Sequence, residues 1–210
     1  MTFFYFMHMF SIESKLLAEG YKRIMGLDEV GRGCLAGPVV AAGVILDPIN
    51  IPDGINDSKQ LTHKQRFSLA HQIKATAIHW SIMHCDVHEI LSLNILWASM
   101  KAMQKCELGS GANPDYLLVD GNRYVPTLTP VTCLVKGDSR SASIAAASIL
   151  AKVYRDELMA KLHFDYPEFN WITNVGYPTK DHYQALAEFG FTKHHRTGFK
   201  LKTEKCYQEK

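Results

Sequence analysis

The chain has 210 residues, 47% of them hydrophobic and 21% charged, proportions of an ordinary folded protein and not of a disordered chain. Its 23 basic residues against 21 acidic ones leave a formal charge of +2, so any nucleic-acid contact must rest on a local basic surface rather than on the chain as a whole. No run of 18 apolar residues occurs, which excludes a membrane-spanning helix, and the length is that of one domain, able to bury about 70% of the surface exposed when unfolded.

The opening MTFFYFMHMF is apolar, but it has no basic leader and is interrupted by Ser11 and Glu13, unlike a secretory signal. Met7 and Met9 are alternative starting residues, and residues 1–12 read as an atypical segment ahead of a single domain, 13–210. Residues 22–30 and 38–46 read as two strands, and the short glycine-rich gap between them favours an antiparallel pair. After a loop marked by Pro48, Pro52 and Gly54, Thr62 followed by Gln65 has the spacing of a capping box and starts a helix through residue 74. Residues 77–85 read as a further strand. Residues 90–103, ILSLNILWASMKAM, carry apolar positions three and four apart and predict a buried helix.

Residues 116–120 (YLLVD) and 131–136 (VTCLVK) are short apolar runs suited to inner strands. The longest predicted helix spans residues 141–162, and its small-residue block SIAAAS would let it lie close against a sheet. A last short helix covers residues 180–189, with Gly190 where a C-terminal cap belongs. This order predicts an α/β fold: a mixed β-sheet flanked by helices, with a helical C-terminal section. The five cysteines, Cys34, Cys85, Cys106, Cys133 and Cys206, form an odd, dispersed set without a CxxC pair. That argues against a disulfide framework or a structural zinc site and implies a cytoplasmic protein with reduced thiols.

Acidic residues recur at one topological place. Asp28 and Glu29 close the run IMGLDEVG, Asp120 closes YLLVDG, and Asp138 follows VTCLVKGD. Ligand crevices of α/β sheets form at strand ends, so adjacent strands would gather these carboxylates into a small volume, where mutual repulsion calls for a cation. Oxygen donors without clustered His or Cys suit hard ions, Mg²⁺ or Mn²⁺. Taken singly, an Asp after a strand is usually a turn former or an N-cap. Because side chains alternate along a strand, Asp28 and Glu29 cannot share a site if the strand stays regular. The strand must end or bulge there, or Glu29 must act through its carbonyl or a water. Gly31, Arg32 and Gly33 follow at once. Two glycines permit close backbone approach to a ligand, and Arg32 offers a fork of donors to a phosphate.

The string DEVGRG with LAGPVVAAGVIL behind it resembles the type 2 ribonuclease H family, most closely bacterial ribonuclease HII. The resemblance continues through DSKQLTHKQR, LNILWASMKAM, VDGN, KGDSRSASIAAASILAKVYRD and GYPTKDHYQAL, leaving out only the first dozen residues and the last few. It implies a ribonuclease H-like fold and an endonuclease that cleaves the RNA of RNA–DNA hybrids and nicks 5′ of single ribonucleotides in duplex DNA. It further implies that Asp28, Glu29, Asp120 and Asp138 are the metal-binding catalytic acids, Asp28 and Asp120 centrally, for two divalent ions about 4 Å apart. By the same resemblance, Gly31, Arg32 and Gly33 contact the ribonucleotide 2′-hydroxyl and a phosphate, and Tyr177 packs on the next sugar. The expected products carry 5′-phosphate and 3′-hydroxyl ends, and the expected state is a monomer.

Lys193, His194, His195, Arg196, Lys200, Lys202 and Lys205 form a basic C-terminal region, and Lys136 and Arg140 flank Asp138. As a group they are expected to face duplex phosphates. His194 and His195 lack a third ligand at metal-binding spacing and fit phosphate contact or structural hydrogen bonds better. Two residues depart from the family pattern: Val175, where a lysine is common, and Gly198, where a serine is common. Two rival readings are a DNA-directed metal nuclease of the same fold, which would need no 2′-hydroxyl reader, and a non-catalytic hybrid-binding module, which would have no use for four acids.

Overall fold

The computed structural model describes residues 9–198, apart from residues 57, 59 and 110. A short helix, α1 (Ser11–Ala18), leads into the strand β1 (Ile24–Val30) and its partner β2 (Val39–Ile45). As expected, the two pair antiparallel, from Gly26 opposite Val44 to Val30 opposite Val40. The helix α2 (His63–Thr76) precedes β3 (His79–Cys85), and the long helix α3 (Val87–Gly109) precedes β4 (Tyr116–Asp120) and β5 (Val131–Leu134). The sheet order is β3-β2-β1-β4-β5, with β4 parallel to β1 and β5 parallel to β4.

Alternation along β2 divides the core in two. Val40, Ala42 and Val44 face α2 and the 24-residue helix α4 (Ala142–Asp165), while Val39, Ala41 and Ile45 face α3. The small residues that begin α4 allow an exceptionally close approach to β1. A Cβ on Gly26 would lie 2.2 Å from the main-chain carbonyl carbon of Ser143, so strand backbone rests directly on helix backbone. The helical C-terminal part comprises a 3₁₀ turn (Pro167–Phe169), α5 (Trp171–Asn174) and α6 (Lys180–Phe189). It has its own small core around Phe169, Trp171 and Leu186.

The capping box forms as the sequence predicts: Thr62 accepts from the Gln65 amide, and the Gln65 side chain accepts from the Thr62 amide. Ser141 caps α4, and Gly190 closes α6 with φ 75°. Other boundaries differ for local reasons. β1 starts at Ile24 because the amides of Lys22 and Arg23 are taken by the Asp115 carboxylate, each at 2.8 Å. The predicted helix 90–103 begins earlier, at Val87, and breaks at Asn94 (φ 61°), whose Oδ1 accepts from the amides of Leu96 and Trp97 and restarts the helix. β5 stops at Leu134, and Lys136 turns into the left-handed region at φ 55°.

The helix α1 has no counterpart among the elements expected from the sequence. Within the 1–12 segment Met9 is buried in the core, while residues 1–8 lie outside the described residues. Glu13 of α1 is buried, and its Oε1 accepts from the Ser141 hydroxyl at 2.6 Å and the Ser143 amide at 2.9 Å. It thereby places a carboxyl at the N-terminus of α4, where the helix dipole favours negative charge. Cys34, Cys85, Cys106 and Cys133 are free thiols, and Cys206 lies outside the described residues. No helix among the described residues is long and apolar enough to cross a membrane.

Candidate active site

The strands β1, β4 and β5 run in one direction, so their C-terminal ends meet at one edge of the sheet. The last parallel pair between β1 and β4 is Leu27 with Val119, and the next residues on each strand are Asp28 and Asp120. Asp138 stands in the 3₁₀ turn Gly137–Ser139 that joins β5 to α4. This turn is tied to its neighbour by the Gly137 amide, which donates to Asp120 Oδ1 at 2.7 Å. Asp28, Glu29, Asp120 and Asp138 all border one cavity of about 340 Å³, as do Gly31, Arg32, Gly33 and Tyr177. The four acids, the 31–33 loop and Tyr177 therefore all line one cavity.

The strand end or bulge expected beside Glu29 is not found. β1 neither ends nor bulges at Asp28, and its ladder with β2 continues regularly through Glu29 opposite Ala41 and Val30 opposite Val40. Instead, the β4 side of β1 is open beyond Leu27, so residues from both faces of the strand border the cavity at that edge. The Glu29 side chain itself is present there, only 10% exposed, with Oε1 accepting from Arg32 Nη1 at 3.2 Å.

The sequence profile of the Ribonuclease HII family matches residues 25–202. The chain belongs to the ribonuclease HII family. It is 50% identical over 197 residues to the ribonuclease HII of Salinibacter ruber, an alignment spanning 92% of this chain and 98% of that one. Its fold resembles the crystal structure of ribonuclease H2 from Pyrococcus horikoshii, with a TM-score of 0.72 and 26% identity over 85% of this chain and 94% of that one. It also resembles Bst-RNase HIII in complex with Mn²⁺, with a TM-score of 0.64 and 21% identity over 86% of this chain and 68% of that one.

Burial dominates the electrostatics of this cavity. Asp28 is raised well above the ordinary carboxylate range by loss of water, with the charges of Glu29 and Asp120 adding, against a hydrogen bond from Ser148. Burial also lifts Glu29, to about 7, although the charge and hydrogen bond of Arg32 pull it down. These carboxylates fit a hard divalent cation by chemistry: the donors are all oxygen, and positive charge relieves the strain that raises their pKa values. As the side chains stand, however, no three His, Cys, Asp or Glu among the described residues are gathered closely enough to hold one ion. Asp28 Oδ1, Asp120 Oδ1 and Glu29 Oε1 each accept from a protein donor.

Several cavity residues escaped the sequence reading. Ser58 and Ser148 meet at 2.9 Å between their hydroxyl oxygens, Arg66 donates to the Ser58 carbonyl, and Lys152 pairs with Asp156 at 2.7 Å. All four lie in segments that carry the family resemblance, yet none has a local pattern that separates it from an ordinary exposed polar residue. Behind the site, the buried carboxylate of Glu107 accepts from Tyr124, Thr127 and Thr129 and anchors the loop that follows Asp120. The basic C-terminal region is partly a different structure from the one expected. His195 and Arg196 are buried. The His195 Nδ1 accepts from the Thr192 amide, and its Nε2 meets Nε2 of His182 at 3.0 Å. Arg196 donates to the carbonyls of Gly37 and Arg32. Neither residue is free to meet a phosphate. Lys193, Lys136 and Arg140 are exposed, and Lys200, Lys202 and Lys205 lie outside the described residues.

Proposed function

We propose that this chain is a ribonuclease H that hydrolyses the RNA strand of RNA–DNA hybrids and nicks 5′ of single ribonucleotides in duplex DNA, leaving 5′-phosphate and 3′-hydroxyl ends. The observation that carries the reading is one cavity bordered by four carboxylates, a glycine loop and a tyrosine, in a chain of this family. Asp28, Glu29, Asp120 and Asp138 would hold divalent cations, Mn²⁺ or Mg²⁺, with Asp28 and Asp120 central. Bound cations supply the positive charge that lets a phosphate approach four acids and that stabilises charge developing on it.

The remaining residues account for substrate choice. Telling RNA from DNA requires contact with the 2′-hydroxyl. Gly33 has nothing within 4 Å of where a Cβ would stand, so its backbone is accessible to a sugar. Arg32, with half its side chain exposed, can turn to a phosphate. Tyr177 is 38% exposed and presents a ring face to the next sugar, where a 2′-hydroxyl would crowd it. The reading makes residues 13–210 one catalytic domain, acting as a monomer in the cytoplasm, where buried thiols stay reduced.

The test uses a DNA duplex with one ribonucleotide beside the same duplex made wholly of DNA, each incubated with Mn²⁺ or Mg²⁺. A nick 5′ of the ribonucleotide, abolished by chelator, is the expected result. Equal cutting of both duplexes would indicate a DNA-directed nuclease. Tighter binding of the first without cutting would indicate a hybrid-binding module.

A further inference from the structure

The two groups read as substrate sensors stand on separate segments: residues 31–33 follow β1, and Tyr177 lies between α5 and α6. Their spacing is not fixed by either segment alone. The segments are joined by the Leu35 amide, which donates to the Gly176 carbonyl at 2.8 Å, and by Arg155, which reaches both from the middle of α4. Arg155 is fully buried. Its Nε donates to the Pro38 carbonyl at 3.1 Å and its Nη2 to the Ala36 carbonyl at 3.0 Å, both on the glycine-loop side. Its Nη1 donates to the Val175 carbonyl at 2.7 Å, on the tyrosine side.

The same guanidinium lies 6.0 Å from the centroid of the Tyr177 ring. It also underlies Gly31, where a Cβ would stand 2.3 Å from Nε. A buried cation facing three carbonyls and a ring is a rigid planar spacer, because its fork of donors fixes direction as well as distance. Val175 adds to the demand on this contact, being a β-branched residue held at φ 50°, a conformation that costs energy unless its surroundings enforce it.

We propose that Arg155 is a positioning residue: without touching substrate, it sets the distance and tilt between the 31–33 loop and the Tyr177 ring, and so sets preference for a ribonucleotide followed by a deoxyribonucleotide. This rests on the substrate reading given above for these groups. A uniform RNA–DNA hybrid offers no deoxyribose to the tyrosine face, so misplacing that face harms cleavage at a junction more than cleavage of the hybrid. Misplacement by about 1 Å can cost on the order of 100-fold.

The experiment measures kcat and KM of wild type, Arg155→Lys, Arg155→Met, Tyr177→Ala and Arg155→Lys/Tyr177→Ala on both substrates, with melting temperature and Mn²⁺ binding by calorimetry for each. Lysine keeps the charge but loses the fork, and it serves if the methionine variant does not fold. The expected result is a preference for the single-ribonucleotide duplex reduced about 10- to 100-fold in Arg155→Lys, with Mn²⁺ affinity unchanged. Tyr177→Ala should lose the same preference, and the double variant should lose no more than either alone. Equal slowing on both substrates, or losses that multiply in the double variant, would overturn the role of Arg155. A Tyr177→Ala variant with wild-type preference would instead remove the reading of Tyr177, and the proposal with it.

Discussion

Replacing Glu29 by glutamine should stabilise the metal-free protein while impairing its chemistry. Glu29 is held at about 7 instead of 4.5, chiefly because its carboxylate is removed from water. The folded protein therefore binds this proton more tightly than the unfolded chain does. Stability falls as pH rises from 4.5 through about 7, and the full cost is present above that window. The difference corresponds to roughly 3 kcal/mol at pH 8. That figure already contains the opposing pull of the Arg32 charge and hydrogen bond. Glu29→Gln should then gain about 3 kcal/mol at pH 8, a rise in melting temperature on the order of 6–12 °C for a domain of this size. At pH 5 the gain should shrink below about 1 kcal/mol. Thermal melts in chelator at the two pH values test this, and saturating Mn²⁺ should reverse the order by stabilising wild type more. A variant that melts below wild type at pH 8 in chelator, or that gains equally at pH 5, would refute the argument.

Two further outcomes separate fold from chemistry. Asp120→Asn keeps the acceptor for the Gly137 amide and should fold normally, yet lose at least on the order of 100-fold in turnover; full activity in a kinetic assay would remove Asp120 from the site. Gly31 and Gly33 should differ from each other. Gly31 has φ +94° and no room for a Cβ against Arg155, whereas Gly33 has neither constraint. Gly31→Ala should therefore lose both stability and cleavage, and Gly33→Ala should melt like wild type while losing affinity for the ribonucleotide duplex, which calorimetric or filter-binding measurement would reveal.

Much of the fold is legible because its signals are local. The apolar run at residues 38–46, the Thr62–Gln65 pair and the glycine at 190 each act within a few residues, and each forms in the structure as the sequence suggests. What escapes reading is set by distant partners. The start of β1 depends on Asp115, 92 or 93 positions away, and the buried state of Glu13 depends on Ser141 and Ser143. Asn94 is an intermediate case, since an asparagine inside an apolar helical pattern is a local hint of a cap. Charge misleads in the opposite way. Arg155 and Arg196 look like surface cations in sequence, and both are buried against main-chain carbonyls. Lysine or arginine counts alone therefore overstate the surface available to a phosphate.

The acids were the most legible part of the site, and the reason lies in topology. Residues 28, 120 and 138 are far apart in the chain, but β1, β4 and β5 are parallel. A carboxylate placed just beyond the last hydrogen-bonded pair of such strands meets its counterparts whatever lies between them in sequence. That place is also where burial is costly, because the sheet and α4 exclude water from the carboxylates. Asp28 and Glu29 register the cost directly in their raised pKa values. The fold tolerates it because the rest of β1 and β2 is wholly apolar and packed against helix backbone at Gly26. A sheet this closely packed can hold repelling charges at its edge, and those same charges leave the cavity short of positive charge. Affinity for a divalent cation and for the phosphate it accompanies thus comes from the instability of the empty site, which is why removing one carboxylate should raise stability and lower activity together.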